Sequence, residues 1–376
     1  MTKVKFISTW VFLFLANISF TQVTFVVNKF PADTVLTDIY ISGDFERWTG
    51  GQKDYKLQQI KNHYFITLPQ YEGTINFKFT KGTWETVETE KNFNQIENRQ
   101  YTFNMPNDTV NIEIKNWSKG KVPNSTASEN VKLFYKAMHI PQLKRKRRIW
   151  VYLPPDYETS KEKYPVLYMQ DGQNLFDAAT AFAGEWAVDE TMNRLAKEKN
   201  LKMIVVGIDN GSKHRMDEYS PWKNKIYGGG KGDAYIKFIV ETLKPKIDSS
   251  FRTKPQSKHT AIMGSSMGGL ISYYGALKYP KTFGKVGVFS PSFWFSDKVI
   301  DFTKKQSKGT KVKAYFLMGS EEGNSAIEAM EKVVTTLKKS GYKKKNFIKK
   351  IVLGGKHNEA LWRNEFEEAI LWLFDK

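Results

Sequence analysis

The chain contains no cysteine. That removes disulfides, a thiol nucleophile, a thiolate zinc site and a lipid-bearing cysteine from consideration. Histidine is scarce, and the five residues, His63, His139, His214, His259 and His357, do not cluster. A tightly held transition metal therefore lacks its usual donors, and no metal site is expected. No apolar run reaches the roughly 20 residues that a membrane-spanning helix needs. The nearest candidate, residues 7–20, is broken by Ser8, Thr9, Asn17 and Ser19. Acidic residues are in deficit: 39 Asp and Glu stand against 58 Lys and Arg, a formal net charge of +19. Such a balance favours anionic surroundings and raises nucleic acid as a partner. The basic runs 144–148 and 343–350 belong to no recognisable nucleic-acid motif, so they read as solvated faces and no nucleic-acid partner is expected.

What is present is ample core material: 40% hydrophobic and 14% aromatic residues in 376, enough for two domains. The first residues read as an export signal. Lys3 and Lys5 precede the apolar stretch, and the small residues Ser19 and Thr21 flank a cleavage after Thr21. The expectation is a signal peptide over 1–21 and a periplasmic or secreted mature chain without a membrane span.

From residue 22 to 117 the pattern is short β-rich runs, at 23–28, 37–42, 64–68, 75–80, 100–103 and 110–115, separated by turn residues such as Glu72-Gly73 and Lys81-Gly82. This predicts a small all-β, Ig-like sandwich. Residues 118–130, rich in Ser, Lys, Gly, Pro and Asn, read as a linker. From 131 to 376, apolar runs alternate with helical stretches, which predicts a mainly parallel eight-stranded sheet flanked by helices, the α/β class. Its strands are expected at 133–137, 148–153, 165–169, 203–207, 260–263, 286–289, 314–318 and 347–352. Helices are expected at 187–197, 232–249, 267–278, 326–339 and 359–374.

The most informative stretch runs from His259 to Gly269. An apolar strand enters Gly264-Ser265-Ser266-Met267-Gly268 and a helix follows. This is G-x-S-x-G in its strand–turn–helix setting, the turn that lifts a serine hydroxyl above an α/β-hydrolase sheet. Only Ser266 has glycine two residues away on both sides. A serine hydroxyl needs a base, and in this fold the chain order is serine, acid, histidine. Only His357 follows Ser266, in a loop between the last predicted strand and helix. The acid should follow the strand at 314–318, where Glu322 and Glu321 are both candidates. The oxyanion hole needs two backbone N–H groups, expected from Met267 and from Gln173 in the loop after the third strand.

The motifs Tyr152-Leu-Pro-Pro-Asp-Tyr157, Asp171-Gly-Gln-Asn174, Gly207-Ile-Asp-Asn210, Glu218-Tyr-Ser-Pro-Trp222, Gly264–Gly269 and Gly355-Lys-His-Asn-Glu359 together resemble the Putative esterase family. That family includes enterochelin-esterase-like, feruloyl and acetylxylan esterases. The resemblance implies hydrolysis of carboxylic esters through an acyl-enzyme, without a cofactor, and maps Ser266, His357 and Glu322 onto nucleophile, base and acid. Some siderophore-cleaving members resemble a Ser–His dyad, in which the acid is dispensable. The implied substrate is a glycan-linked acetyl or feruloyl ester or a siderophore ester. Trp222 and Trp294 are placed to stack on it, and Asp209, Asn210 and Arg215 to bind its polar groups. The front segment, with Ile39–Trp48 and Phe77–Trp84, resembles starch- and glycogen-binding sandwiches, which implies polysaccharide contact through Trp48, Lys78 and Trp84.

Overall fold

The computed structural model describes residues 22–374, apart from 33–36, 47, 72, 94–95, 97, 104, 106, 119–123 and 182–183. The predicted export signal, and residues 119–123 of the predicted linker, lie outside the described residues.

The described residues between 22 and 117 form nine strands: β1 (Gln22–Lys29), β2 (Tyr40–Gly43), β3 (Gln58–Ile60), β4 (His63–Pro69), β5 (Thr74–Thr80), β6 (Glu88–Thr89), β7 (Arg99–Thr102), β8 (Asp108–Glu113) and β9 (Asn116–Trp117). They form a four-stranded sheet, β3-β4-β1-β8, a three-stranded sheet, β2-β5-β7, and the small pair β6-β9. Alternation decides which face turns inward. In β1, Val23, Phe25 and Val27 are buried while their neighbours are not. They share one core with Ile41, Phe77 and Phe79 of the other sheet, and Phe25 meets Phe77 across it at 4.7 Å between ring centroids.

Residues 124–130 are bound down along the following unit. Ser125 Oγ donates to Asp177, Ser128 N–H to Asp189 at 2.7 Å, and Asn130 Nδ2 to Leu153 O at 2.6 Å. The sequence reading gave this stretch only as polar linker, because its partners lie 23 to 63 residues further along the chain.

Six long strands follow with their helices: β10 (Val131–Ile140), β11 (Arg145–Tyr152), β12 (Val166–Gln170), α1 (Val188–Lys199), β13 (Ile204–Ile208), α2 (Arg215–Glu218), the small pair β14 (Lys223–Asn224) and β15 (Gly228–Gly229), α3 (Gly232–Phe238), α4 (Lys244–Ser250), β16 (Thr260–Ser265), α5 (Met267–Lys278) and β17 (Lys285–Phe289). The chain closes with α6 (Lys298–Gln306), β18 (Lys313–Gly319), α7 (Asn324–Lys339), β19 (Phe347–Val352) and α8 (Glu359–Phe374). The main sheet has the order β10-β11-β13-β12-β16-β17-β18-β19. Ladders from β13 through β19 are parallel, and the β10-β11 and β11-β13 ladders are antiparallel. This is the predicted eight-stranded, mainly parallel α/β sheet, and every predicted strand of that unit has its counterpart. Strands β12, β13 and β16 are buried along their whole length, because helices cover both faces of a parallel sheet.

Two differences have local causes. The helix predicted over 232–249 is interrupted by a π-helical turn, Ile239–Leu243. Pro245, in the first turn of α4, has no N–H to give, so the ladder widens just before it. The sequence reading missed α6, whose nine residues are too few for the apolar set Val299, Ile300 and Phe302 to repeat over further turns.

Two lysines inside this unit serve the fold. Lys285 Nζ donates to Leu373 O at 2.7 Å and Lys313 Nζ to Trp372 O at 2.9 Å. Both cap the carbonyl end of α8, where positive charge is favoured. Burial, then the neighbouring Lys313 charge, pushes the Lys285 ammonium down to about 8.

The crossing of β16 and α5 is a close joint at the site. A Cβ on Gly264 would stand 2.8 Å from the Gly268 carbonyl, and one on Gly269 would stand 2.8 Å from Phe289 O. Gly264→Ala is therefore expected to cost about 1–3 kcal/mol of unfolding free energy, read by urea denaturation. An unchanged midpoint would mean that strand and helix separate freely.

Candidate active site

Ser266 stands between the last residue of β16 and the first of α5, with φ 57° and ψ −126°. A residue with a Cβ holds such a backbone only when its surroundings enforce it. Here Ser266 N–H donates to Phe289 O at 2.9 Å, and its carbonyl accepts from Leu270 N–H at 3.1 Å and from Ser292 N–H at 3.1 Å. Ser265 stays in the strand and is buried. Met267 is the first residue of α5, so its N–H lies too early to have an acceptor within the helix.

Glu322 follows β18, and its side chain is 1% exposed. Its Oε1 accepts from Gly319 N–H at 2.7 Å and from Ser290 Oγ at 2.6 Å, while Oε2 lies 2.7 Å from His357 Nδ1. Glu321 is exposed, and it is Glu322 that reaches the histidine. The two loops can meet because a Cβ on Gly319 would lie 2.2 Å from Gly355 O, so neither strand end has a side chain between them. The His357 ring stands edge-on to Trp362 at 5.1 Å, and Trp362 Nε1 donates to Ser290 Oγ at 2.8 Å.

Burial works against a charged ring at His357. The charge and hydrogen bond of Glu322 outweigh it, aided by Glu359 and Asp44, and hold the pKa above the ordinary imidazole value. No hydrogen bond joins His357 to Ser266 among the described residues. The Ser266 hydroxyl instead lies 3.3 Å from Ser292 Oγ. Ser290 and Ser292 flank Pro291 just past β17; Ser290 bonds Glu322, and Ser292 lies against Ser266. Neither serine was read from the sequence; their only signal was a Ser-Pro-Ser turn at the carboxyl end of a parallel strand.

The loop after β12 carries Gln173 in a 3₁₀ turn, Gly172–Asn174. It lies against the end of β13, since a Cβ on Gly172 would stand 2.8 Å from Asp209 N. The polar residues expected to bind substrate have protein partners here. Arg215 forms a two-point bond to Asp171, Nε to Oδ1 and Nη2 to Oδ2, both at 2.8 Å. Asn210 Nδ2 donates to Asp171 Oδ1 at 2.7 Å, and Asn210 N–H to Gln173 Oε1 at 3.1 Å. Asp209 accepts from Arg148 Nε at 2.5 Å and Trp150 Nε1 at 2.9 Å. Arg215 and Asn210 thus brace the Gln173 loop, and Asp209 ties the end of β13 to β11.

Trp222 is half-buried against Tyr274 and Phe302. Trp294 is 44% exposed and follows Ser292 by two residues. In the front unit, Trp48 and Trp84 pack on each other at 5.8 Å, and Trp84 Nε1 donates to Trp48 O at 2.9 Å. Lys78 is 4% exposed, so it presents no ammonium on an open carbohydrate face. Its charge acts instead on Glu359, whose carboxyl is pushed up to about 7 by burial against the pull of Lys78 and His357. Burial likewise pushes Asp44 up to about 6, opposed by hydrogen bonds from Asn76 and by the His357 charge. The front unit therefore contributes charges to the surroundings of His357. A surface cleft lined by Leu133, Phe134, Tyr157 and Phe251 contains no histidine.

Residues 140–373 match the family described as "Putative esterase". Among curated proteins, the chain is 27% identical over 243 residues to the uncharacterized protein YbbA of Bacillus subtilis, covering 61% of this chain and 93% of that one. It is 26% identical over 228 residues to an endo-1,4-beta-xylanase/feruloyl esterase of Xylanibacter ruminicola, covering 60% of this chain and 29% of that one. Among solved structures, the enterochelin esterase of Shigella flexneri superposes with a TM-score of 0.57 at 15% identity, covering 94% of this chain and 92% of that one. That match shares the fold. The sequence match covers well over half of the chain and includes Ser266, Glu322 and His357: this protein belongs to the Putative esterase family and is a carboxylic ester hydrolase.

Proposed function

We propose that the protein is an exported serine esterase in which Ser266 is the nucleophile, His357 its general base and Glu322 the acid that orients the imidazole. The observation that carries this reading is the pairing of a strained serine at a helix N-terminus with a histidine already bonded to a buried carboxylate. Glu322 at Nδ1 leaves Nε2 as the nitrogen that takes the proton. The Ser266 hydroxyl must turn from Ser292 toward Nε2 when substrate arrives, a tightening common between free and occupied sites. Attack forms a tetrahedral intermediate, whose oxyanion is held by the Met267 and Gln173 N–H groups and by the positive end of α5. His357 then protonates the leaving alcohol and activates water for deacylation.

The proposed substrate is a glycan-linked acetyl or feruloyl ester or a siderophore ester, with Trp294 at the mouth. Its support is the feruloyl esterase relative and a 29% identical iron(III) salmochelin esterase of Escherichia coli that matches over 154 residues. Export rests on the basic-then-apolar pattern of residues 3–21. A front domain over 22–117 and a catalytic domain over 131–376 remain the proposed division.

Ser266→Ala should reduce kcat/KM on p-nitrophenyl acetate by at least about 10⁴-fold; equal turnover by both proteins would remove Ser266 as nucleophile. The acid limb of the kcat/KM profile should have its midpoint above about 6.5, because the base must be neutral and its pKa is raised. Glu322→Gln should move that limb to lower pH and cut kcat by roughly 10³–10⁴-fold. An unmoved limb would show that Glu322 does not set the pKa of the base. Asp171→Asn weakens the brace on Gln173, and is expected to lower kcat by about tenfold or more with little change in KM; a change confined to KM would place Asp171 in ground-state binding instead.

A further inference from the structure

Acidic residues are the minority in this chain, yet three of them converge at the start of α1. One carboxylate oxygen each from Glu185, Asp189 and Glu190 lies within 4.8 Å of the other two. Acidic side chains in a first helical turn are favourable by themselves, which would account for their presence. It does not account for the burial of Asp189. That residue is 0% exposed. Its Oδ2 accepts from Ser128 N–H at 2.7 Å, but among the described residues no N–H or hydroxyl reaches its Oδ1, and the side chain that Asp189 meets in the cluster is another carboxyl, that of Glu190. A buried carboxylate oxygen without a donor is costly and calls for a counter-charge.

The neighbouring groups supply little of it. Arg363 Nη1 donates to the main-chain carbonyl of Glu185 at 2.9 Å, and its charge bears on the Glu185 carboxyl. Arg194 is taken by Glu367 at 2.6 Å. Asp177 adds a further negative charge near Glu185. Burial, and then the adjoining Asp189, push the Glu190 carboxyl up to about 7.

We propose that Glu185, Asp189 and Glu190 bind a hard divalent cation of the calcium class. The donor set is all oxygen, which suits such an ion and not a soft transition metal. Calcium–oxygen bonds of about 2.4 Å let two ligands of one ion stand up to about 4.8 Å apart, which accommodates the spacing here. Thr126 Oγ1 bonds both oxygens of Glu185, and Ser128 bonds Asp189. The ion would therefore fasten the segment 124–130, which connects the front sheets to β10, onto the first turn of α1. Its role is structural, and it lies outside the ester chemistry of Ser266.

The test is a thermal melt of the full chain, stripped with chelator and titrated with CaCl₂ at pH 8. At about tenfold over its Kd, Ca²⁺ should raise Tm by roughly 2 °C. Glu190→Gln alters an exposed residue, and Asp189→Asn a buried one. In both, the response to Ca²⁺, and not the starting Tm, is the readout, and both should lose it. A Tm unmoved by Ca²⁺ up to about 10 mM, or a Glu190→Gln protein that responds like the wild type, overturns the proposal. Neither result depends on ester hydrolysis.

Discussion

The site hangs on one close approach. Strand β16 and helix α5 meet with no side chain between Gly264 and Gly268, and that contact forces Ser266 into a backbone conformation it would not choose. The strain is held by main-chain bonds to Phe289, Leu270 and Ser292. Those bonds come from the neighbouring parallel strand and its exit turn, so the geometry of the serine depends on the sheet being assembled around it. Burial of β12, β13 and β16 on both faces provides the rigidity.

Around this joint the polar side chains mostly act on one another. Asp171, Arg215 and Asn210 brace the loop that offers the Gln173 N–H. Ser290 is bonded to both Glu322 and Trp362, which fixes the carboxylate facing His357. A fully satisfied network of this kind gains rigidity from the same low dielectric that would punish a missing partner. The charges of Asp44 and Lys78 reach the surroundings of His357 and Glu359 from the front unit, which links a segment read as a carbohydrate module to the electrostatics around His357.

The charge of the chain is unevenly used. Most lysines are solvated, but Lys285 and Lys313 cap a helix inside the fold. Buried carboxylates are each held by particular partners: Glu218 by Arg145 and Arg147, Glu88 by Arg99, and Glu322 by Ser290 and Gly319. Net charge describes the surface of this protein and says little about its interior.

Sequence alone determined the elements whose signal is local. G-x-S-x-G between an apolar strand and a helix identified Ser266, because the tight turn demands glycine at fixed spacing. Chain order left His357 as the one histidine after it, and the alternation of apolar runs with helical stretches gave the sheet of eight. Tertiary structure decided what depends on residues far apart in the chain. The choice between Glu322 and Glu321 turned on which carboxylate the packing of Gly319 against Gly355 brings to His357. The places of Ser290, Ser292 and Trp362 appeared only when β17 and α8 came together. Arg215 and Asp209 read equally well as substrate ligands until Asp171 and Arg148 were seen holding them. A local pattern records the conformation a short segment must adopt; which side chain it then meets is set by the fold of the whole chain.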